Sequence, residues 1–171
     1  SGSVQLQPGD ALVGWLPQEA ERRSGETVAG FLARRCGIDV ADAELHATTA
    51  ALAAGSAGAD DRYSAALDRW LLLGAADFEA RTGEVWHELG LAERLLSAPT
   101  TQLSGGEAAR AGLAALVLSR YDLYLLDEPT NDLDLDGLER LERWVRELDA
   151  AVIVVSHDRT FLENVVTDVI E

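Results

Sequence analysis

In the last third of the chain an apolar run, LYLLDEP at residues 123–129, ends in two acids, Asp127 and Glu128. A buried parallel strand that delivers carboxylates at its C-terminal end places them where open α/β sheets bind ligands. Adjacent residues leave a strand on opposite sides, so the two carboxylates can take different tasks. Asp127 suits a Mg²⁺ ion, and Glu128 suits orienting or deprotonating an attacking water. The plainer alternative is an acidic turn with Glu128 solvated.

A second group precedes this strand. In LSGGE, residues 103–107, Ser104 and Glu107 have the S-x-x-E spacing of a capping box, while Gly105 and Gly106 leave the first helical amides open to an anion. Taken alone, SGGE reads equally as a capped helix. Its place adds weight: SGGE, a helix of core length and the strand ending in DE follow one another within 25 residues, Ser104 to Glu128.

The elements that must position these groups can be read from periodicity. Ala11–Leu16 is a short apolar strand stopped by Pro17. Helical spacing then runs through 27–36, 39–54 and 63–89, the last carrying Leu67, Trp70, Leu71, Phe78, Val85 and Leu89, with a flexible break at 55–61. Gly90 is a C-cap, and residues 98–100 make a turn. A helix over 106–118, a strand over 123–126, a helix with Leu135, Leu138, Leu141, Val145 and Leu148 on one face, a strand over 151–155 and a helix over 160–166 complete the chain. Continuous apolar strands separated by helices predict an α/β fold with a mainly parallel sheet covered on both faces. The organisation predicted is a core segment at 1–19, an inserted α-helical subdomain at 20–102 and the rest of the core at 103–171.

Composition bounds the function. The chain has 171 residues, 47% hydrophobic and 26% charged, enough for a real core and too ordered in pattern for a disordered tail. A net charge of -16 excludes a basic surface that neutralises nucleic-acid phosphates. One cysteine, Cys36, cannot form an internal disulfide, and no apolar run spans a bilayer, so the chain reads as soluble and cytoplasmic with no direct membrane contact. All 14 basic residues are arginine, so the lysine of a P-loop is missing. His46 and His87 lack a second ligand at metal spacing and read as surface or packing residues. Cys36 reads as a small hydrophobe, Trp70, Trp86 and Trp144 as core or interface, Trp15 as core, and the pairs Arg22–Arg23 and Arg34–Arg35 as solvated helix faces.

With these motifs in order, the chain resembles the ATP-binding cassette (ABC) ATPases. LSGGE is similar to their signature motif, LYLLDEP to the Walker B strand, NDLD at 131–134 to the D-loop, VVSHD at 154–158 to the H-switch, and GWLPQE at 14–19 to the Q-loop. The run LLDEPTNDLDLDGLERLERWV, followed by VIVVSHDRTFLENVV, resembles the ABC-F subfamily, whose members carry two cassettes and no transmembrane domain. The 85 residues between Gln18 and Ser104 suit the first cassette of that subfamily.

The resemblance implies roles. Gln18 would sense Mg²⁺ and the attacking water, Asp127 would support the metal, Glu128 would be the general base, and His157 would contact the γ-phosphate of ATP. Ser104, Gly105 and Gly106, with Glu107 beside them, would meet the ATP held by the opposite cassette, and Asp134 would face that partner. It implies ATP and Mg²⁺ as cofactors, a second cassette as partner, and contact with ribosome and tRNA through a linker outside these residues, in translation or antibiotic resistance. The P-loop belongs upstream of the Q-loop strand and is absent here. The chain by itself is therefore expected to bind Mg-ATP poorly, to hydrolyse none, and to pair as a homodimer through an exposed sheet edge. Two other readings stand beside this one: the nucleotide-binding subunit of a membrane ABC transporter, and a non-hydrolysing interaction remnant.

Overall fold

A computed structural model describes residues 5–9, 11–16 and 21–169. Three strands, β1 (Val13–Leu16), β2 (Leu123–Asp127) and β3 (Ala151–Val155), form one parallel sheet in the order β1-β2-β3. Around them lie α1 (Val28–Arg35), α2 (Ile38–Ala53), α3 (Ala59–Leu72), α4 (Phe78–Glu88), α5 (Gly105–Leu118), α6 (Leu135–Glu147) and α7 (Arg159–Val165).

The register explains which residues make the core. Gly14 pairs with Tyr124 and Tyr124 with Val152, while Leu16 pairs with Leu126 and Leu126 with Val154. These six share one face of the sheet, and on it Tyr124 and Leu126 are buried. Helix α5 can approach closely because the residues it buries include four alanines, Ala108, Ala111, Ala114 and Ala115, interleaved with Leu113, Leu116 and Leu118. Leu141 and Val145 of α6 and Phe161 of α7 fill the remaining space. Each fully buried leucine or phenylalanine contributes about 1.5–3 kcal/mol of transfer free energy, so this layer holds the fold.

The other face departs from expectation. Trp15, Leu125 and Ile153 occupy one register row there, and Trp15, Ile153 and Val155 are 53%, 56% and 58% exposed. Among the described residues the sheet is therefore covered on one face and open on the other, and Trp15 is not core. Apolar strands require covering layers, but nothing in a strand's own composition says which chain segment supplies them.

The helical region corrects the single long helix expected over 63–89. Gly74 adopts φ +69°, a left-handed conformation that ends α3, and a 3₁₀ turn at Ala75–Asp77 leads into α4. Helices α2 and α3 pack as an antiparallel hairpin, tied by a hydrogen bond from Trp70 Nε1 to Asp42 Oδ1 at 2.6 Å. Both ends of the region meet. The Val28 amide donates to the Ala98 carbonyl (3.0 Å), the Thr100 amide to the Glu26 carbonyl (2.9 Å), and the Thr100 hydroxyl to the Arg23 carbonyl (3.1 Å). The two ends of the helical region thus lie side by side.

Arg34 and Arg35 are not a solvated face. Arg34 makes hydrogen-bonded ion pairs with Glu26 (2.6 Å) and Glu21 (2.9 Å), and Arg35 pairs with Glu21 (3.3 Å) while donating to the Trp15 carbonyl. The hydrogen bond it donates to Glu26, opposed by partial burial, holds the Arg34 guanidinium above its ordinary value. Together with Tyr121, whose hydroxyl donates to the Arg35 carbonyl at 3.0 Å, these groups join α1 to the sheet.

Candidate functional site

The C-terminal ends of β2 and β3 bring the predicted carboxylate and histidine together. Asp127 ends β2 opposite Val155, in the alternation that faces the open side. Glu128 turns away with φ +47°, rare for a residue with a side chain. The backbone holds it there: its amide donates to the Val155 carbonyl (2.8 Å), and its carbonyl accepts from the Asn131 amide (3.1 Å). Such conformations cost about 1–3 kcal/mol and concentrate at working sites.

From this turn the Glu128 carboxylate, 12% exposed, reaches the H-switch. Its Oε2 accepts from the His157 amide at 3.3 Å, and its Oε1 lies 3.5 Å from His157 Nε2. The imidazole itself is 99% exposed, so it stands free to meet a ligand. Ser156 supports the turn from below, its hydroxyl accepting from the Asp158 amide (3.1 Å) and lying 3.5 Å from Thr130 Oγ1. Asp158 in turn caps α7 through the Phe161 amide (3.0 Å).

The expected capping box is present at α5. Ser104 Oγ accepts from the Glu107 amide (3.3 Å), while Glu107 Oε2 accepts from both the Ser104 amide (2.9 Å) and its hydroxyl (2.8 Å). These hydrogen bonds, the backbone one first, lower the Glu107 carboxyl below its ordinary range. Glu107 therefore turns back onto its own helix start. What remains outward is the N-terminus of a 14-residue helix, opened by Gly105 and Gly106, whose amides and dipole favour an anion.

Glu128 from the first group and Gly105 from the second line one cavity of about 390 Å³, together with Leu16, Phe31, Arg35 and Asp132, whereas Asp127, His157, Ser104, Gly106 and Glu107 do not line it. Asp134 does not line it. One of its oxygens caps α6 by accepting from the Gly137 amide (3.0 Å), and the other lies 3.6 Å from Arg110. Gln18 lies outside the described residues. His46 and His87 are exposed, Trp86 is buried with Nε1 donating to the Ala92 carbonyl (3.0 Å), and Trp144 packs edge-on against Tyr124. Reading the sequence alone missed Asp132, a second left-handed residue with φ +60°, and the guanidinium groups of Arg35 and Arg110. An Asp or Asn in an N-D turn was the only available signal.

Among the described residues no cluster of three or more His, Cys, Asp or Glu encloses a metal. A lone strand-end carboxylate is nevertheless what Mg²⁺ uses when most of its other ligands are water and substrate phosphate, so Asp127 fits that ion. No helix among the described residues is long and apolar enough to cross a membrane.

A parallel sheet with strand-end acids, a glycine-opened helix N-terminus and a histidine at the next strand's end define a nucleotide-binding cassette core. The chain belongs to the ABC transporter family, whose model matches residues 5–131. It is 39% identical over 105 residues to the probable ATP-binding protein YheS of Escherichia coli, a match covering 61% of this chain and 16% of that protein. It is 48% identical over 73 residues to the energy-dependent translational throttle protein EttA of Mycobacterium tuberculosis, covering 43% of this chain and 13% of the relative. The matches thus span less than a fifth of these relatives. Among solved structures, the ATP-binding subunit of an ABC transporter matches with a TM-score of 0.62 at 19% identity, over 90% of this chain and 52% of that one. A dimeric, post-hydrolysis cassette, MJ0796 bound to ADP and Pi, matches with a TM-score of 0.54 at 19% identity, over 92% and 57%. At these identities the two structures establish the α/β cassette fold, and the family match and relatives agree with the ABC ATPase of ABC-F type that the motifs resemble.

Proposed function

We propose that these residues are the catalytic and signature portion of an ABC-F type cassette, in a protein that hydrolyses ATP to drive a translation-linked switch. The observation that carries the reading is the left-handed turn at Glu128, which aims a largely buried carboxylate at His157. The 48% identity to a translational throttle protein supports the ribosomal setting over a membrane one. A role in antibiotic resistance is a narrower version of the same reading.

In this mechanism Glu128 orients the attacking water and takes its proton, and its contact with the His157 amide fixes the carboxylate's direction. His157, exposed and held against Glu128 by its amide and its Nε2, meets the γ-phosphate. Asp127, with Gln18, would hold Mg²⁺, which supplies charge neutralisation to the phosphates. Ser104, Gly105 and Gly106 offer their helix N-terminus to ATP on the opposite cassette, with Asp134 at that boundary, so that ATP joins the two. The units are a core portion at 1–19, the helical insertion at 20–102 and the remaining core at 103–171. The P-loop lysine has to come from outside these residues. By themselves they are expected to bind ATP poorly and to self-associate through the exposed sheet edge, and a monodisperse monomer with micromolar ATP affinity contradicts that.

The test is Glu128→Gln in the full-length protein that carries this chain, with the matching change in any second cassette, followed by co-sedimentation with ribosomes. Association that requires ATP is the expected result. ATP binding without ribosome association transfers the reading to a transporter's nucleotide-binding subunit.

A further inference from the structure

The signature helix and the D-loop touch at more than one point. The Asp132 carbonyl lies 3.4 Å from where a β-carbon on Gly106 would sit, and the Asp132 carboxylate lies 3.9 Å from that position on Gly105. One turn along α5, Arg110 directs its Nε at the Gly106 carbonyl (3.4 Å) and its Nη1 at Asp134 Oδ2 (3.6 Å). Asp134 is itself fixed, because its other oxygen caps α6 through Gly137. The Arg110 side chain is 22% exposed and that of Asp134 61%. A planar guanidinium presents donors in fixed directions, so one side chain can hold a backbone carbonyl and a carboxylate at a set separation.

We infer that Arg110 is a positioning residue: it locks the glycine turn at 104–106 to the loop at 131–134, so that the groups presented to an opposite cassette's nucleotide move as one body. The inference rests on the proposed pairing of cassettes. It assigns Arg110 no contact with nucleotide. A surface ion pair of this exposure does little for stability, so its effect belongs to alignment.

The experiment uses the full-length protein with Glu128→Gln, paired fluorophores on its two cassettes, and ATP as titrant. Arg110→Gln is compared with Asp134→Asn, which removes the charge yet keeps a side chain that caps helices well. Arg110→Gln should raise the ATP concentration for half-closure about threefold to tenfold, the scale of one ordinary hydrogen bond, with the unfolding midpoint nearly unchanged. Asp134→Asn should do the same, and the double variant should be no worse than either single one. Arg110→Lys should recover part of the shift, and it carries the test should Arg110→Gln fail to fold. Independent, multiplying effects of the two single changes, or a change in unfolding midpoint with no change in ATP midpoint, overturn the assignment. Absence of ATP-driven closure in the Glu128→Gln reference protein overturns the cassette pairing and this assignment with it.

Discussion

Gly14 lies against the ring of Tyr121, so closely that a β-carbon on residue 14 would stand 2.1 Å from Tyr121 Cδ2. The contact allows the Tyr121 hydroxyl to reach the Arg35 carbonyl and so fastens α1 to the first strand. Gly14→Ala should therefore cost about 1–3 kcal/mol through overpacking. In a Tyr121→Ala background the same change should cost far less, because the obstructing ring is gone. Denaturant midpoints of the four proteins decide this, and equal costs in both backgrounds rule the clash out.

Glu128 is held in the left-handed region at φ +47°, where a β-carbon is strained and glycine is not. Glu128→Gly should be more stable than Glu128→Ala by about 1 kcal/mol, reversing the usual order of the two residues. Both variants should lose ATP turnover. Thermal unfolding of the pair is the check, and a less stable glycine variant would show that this turn is unstrained.

The Glu107 carboxyl sits below its ordinary value of 4.5 because the folded chain donates hydrogen bonds to its ionised form. A group with a lowered folded value stabilises fully above its unfolded value and loses that contribution as pH falls through the folded one. The stability advantage of the native protein over Glu107→Gln should thus be present at pH 7 and shrink below pH 4.5. Urea unfolding at several pH values measures it. A difference that does not depend on pH contradicts the assignment.

Burial pushes the Cys36 thiol upward, opposed in part by a hydrogen bond from Ser119, whose Oγ lies 3.3 Å from Sγ. The thiol should resist alkylation near pH 8 in the folded chain and react at once in denaturant. Rapid labelling of the folded protein would place Cys36 at the surface. The raised value also means that the buried thiol favours folding below its unfolded value and that this is lost as pH rises through the folded one.

Local signals were legible in the sequence, and relations between distant segments were not. Ser104 and Glu107 announce their capping box because the whole motif lies within one helical turn. Asp127 and Glu128 announce themselves at a strand end because the apolar run stops there. The left-handed turn of Glu128 was hidden, since its cause is the Val155 carbonyl on another strand. The tie from Arg34 and Arg35 to Glu21 and Glu26 was hidden in the same way, because a charge pattern shows a possible partner but not the fold that delivers it. The break at Gly74 left a trace in the sequence, yet an isolated glycine also occurs inside helices.

The side of the sheet carrying Trp15, Ile153 and Val155 gives the chain a built-in optical gauge. An indole half in water emits at longer wavelength than one enclosed by hydrocarbon. Whatever packs over Trp15 must exclude water from its ring, and the blue shift in its emission would time the event and rank the candidates by how completely they shield it.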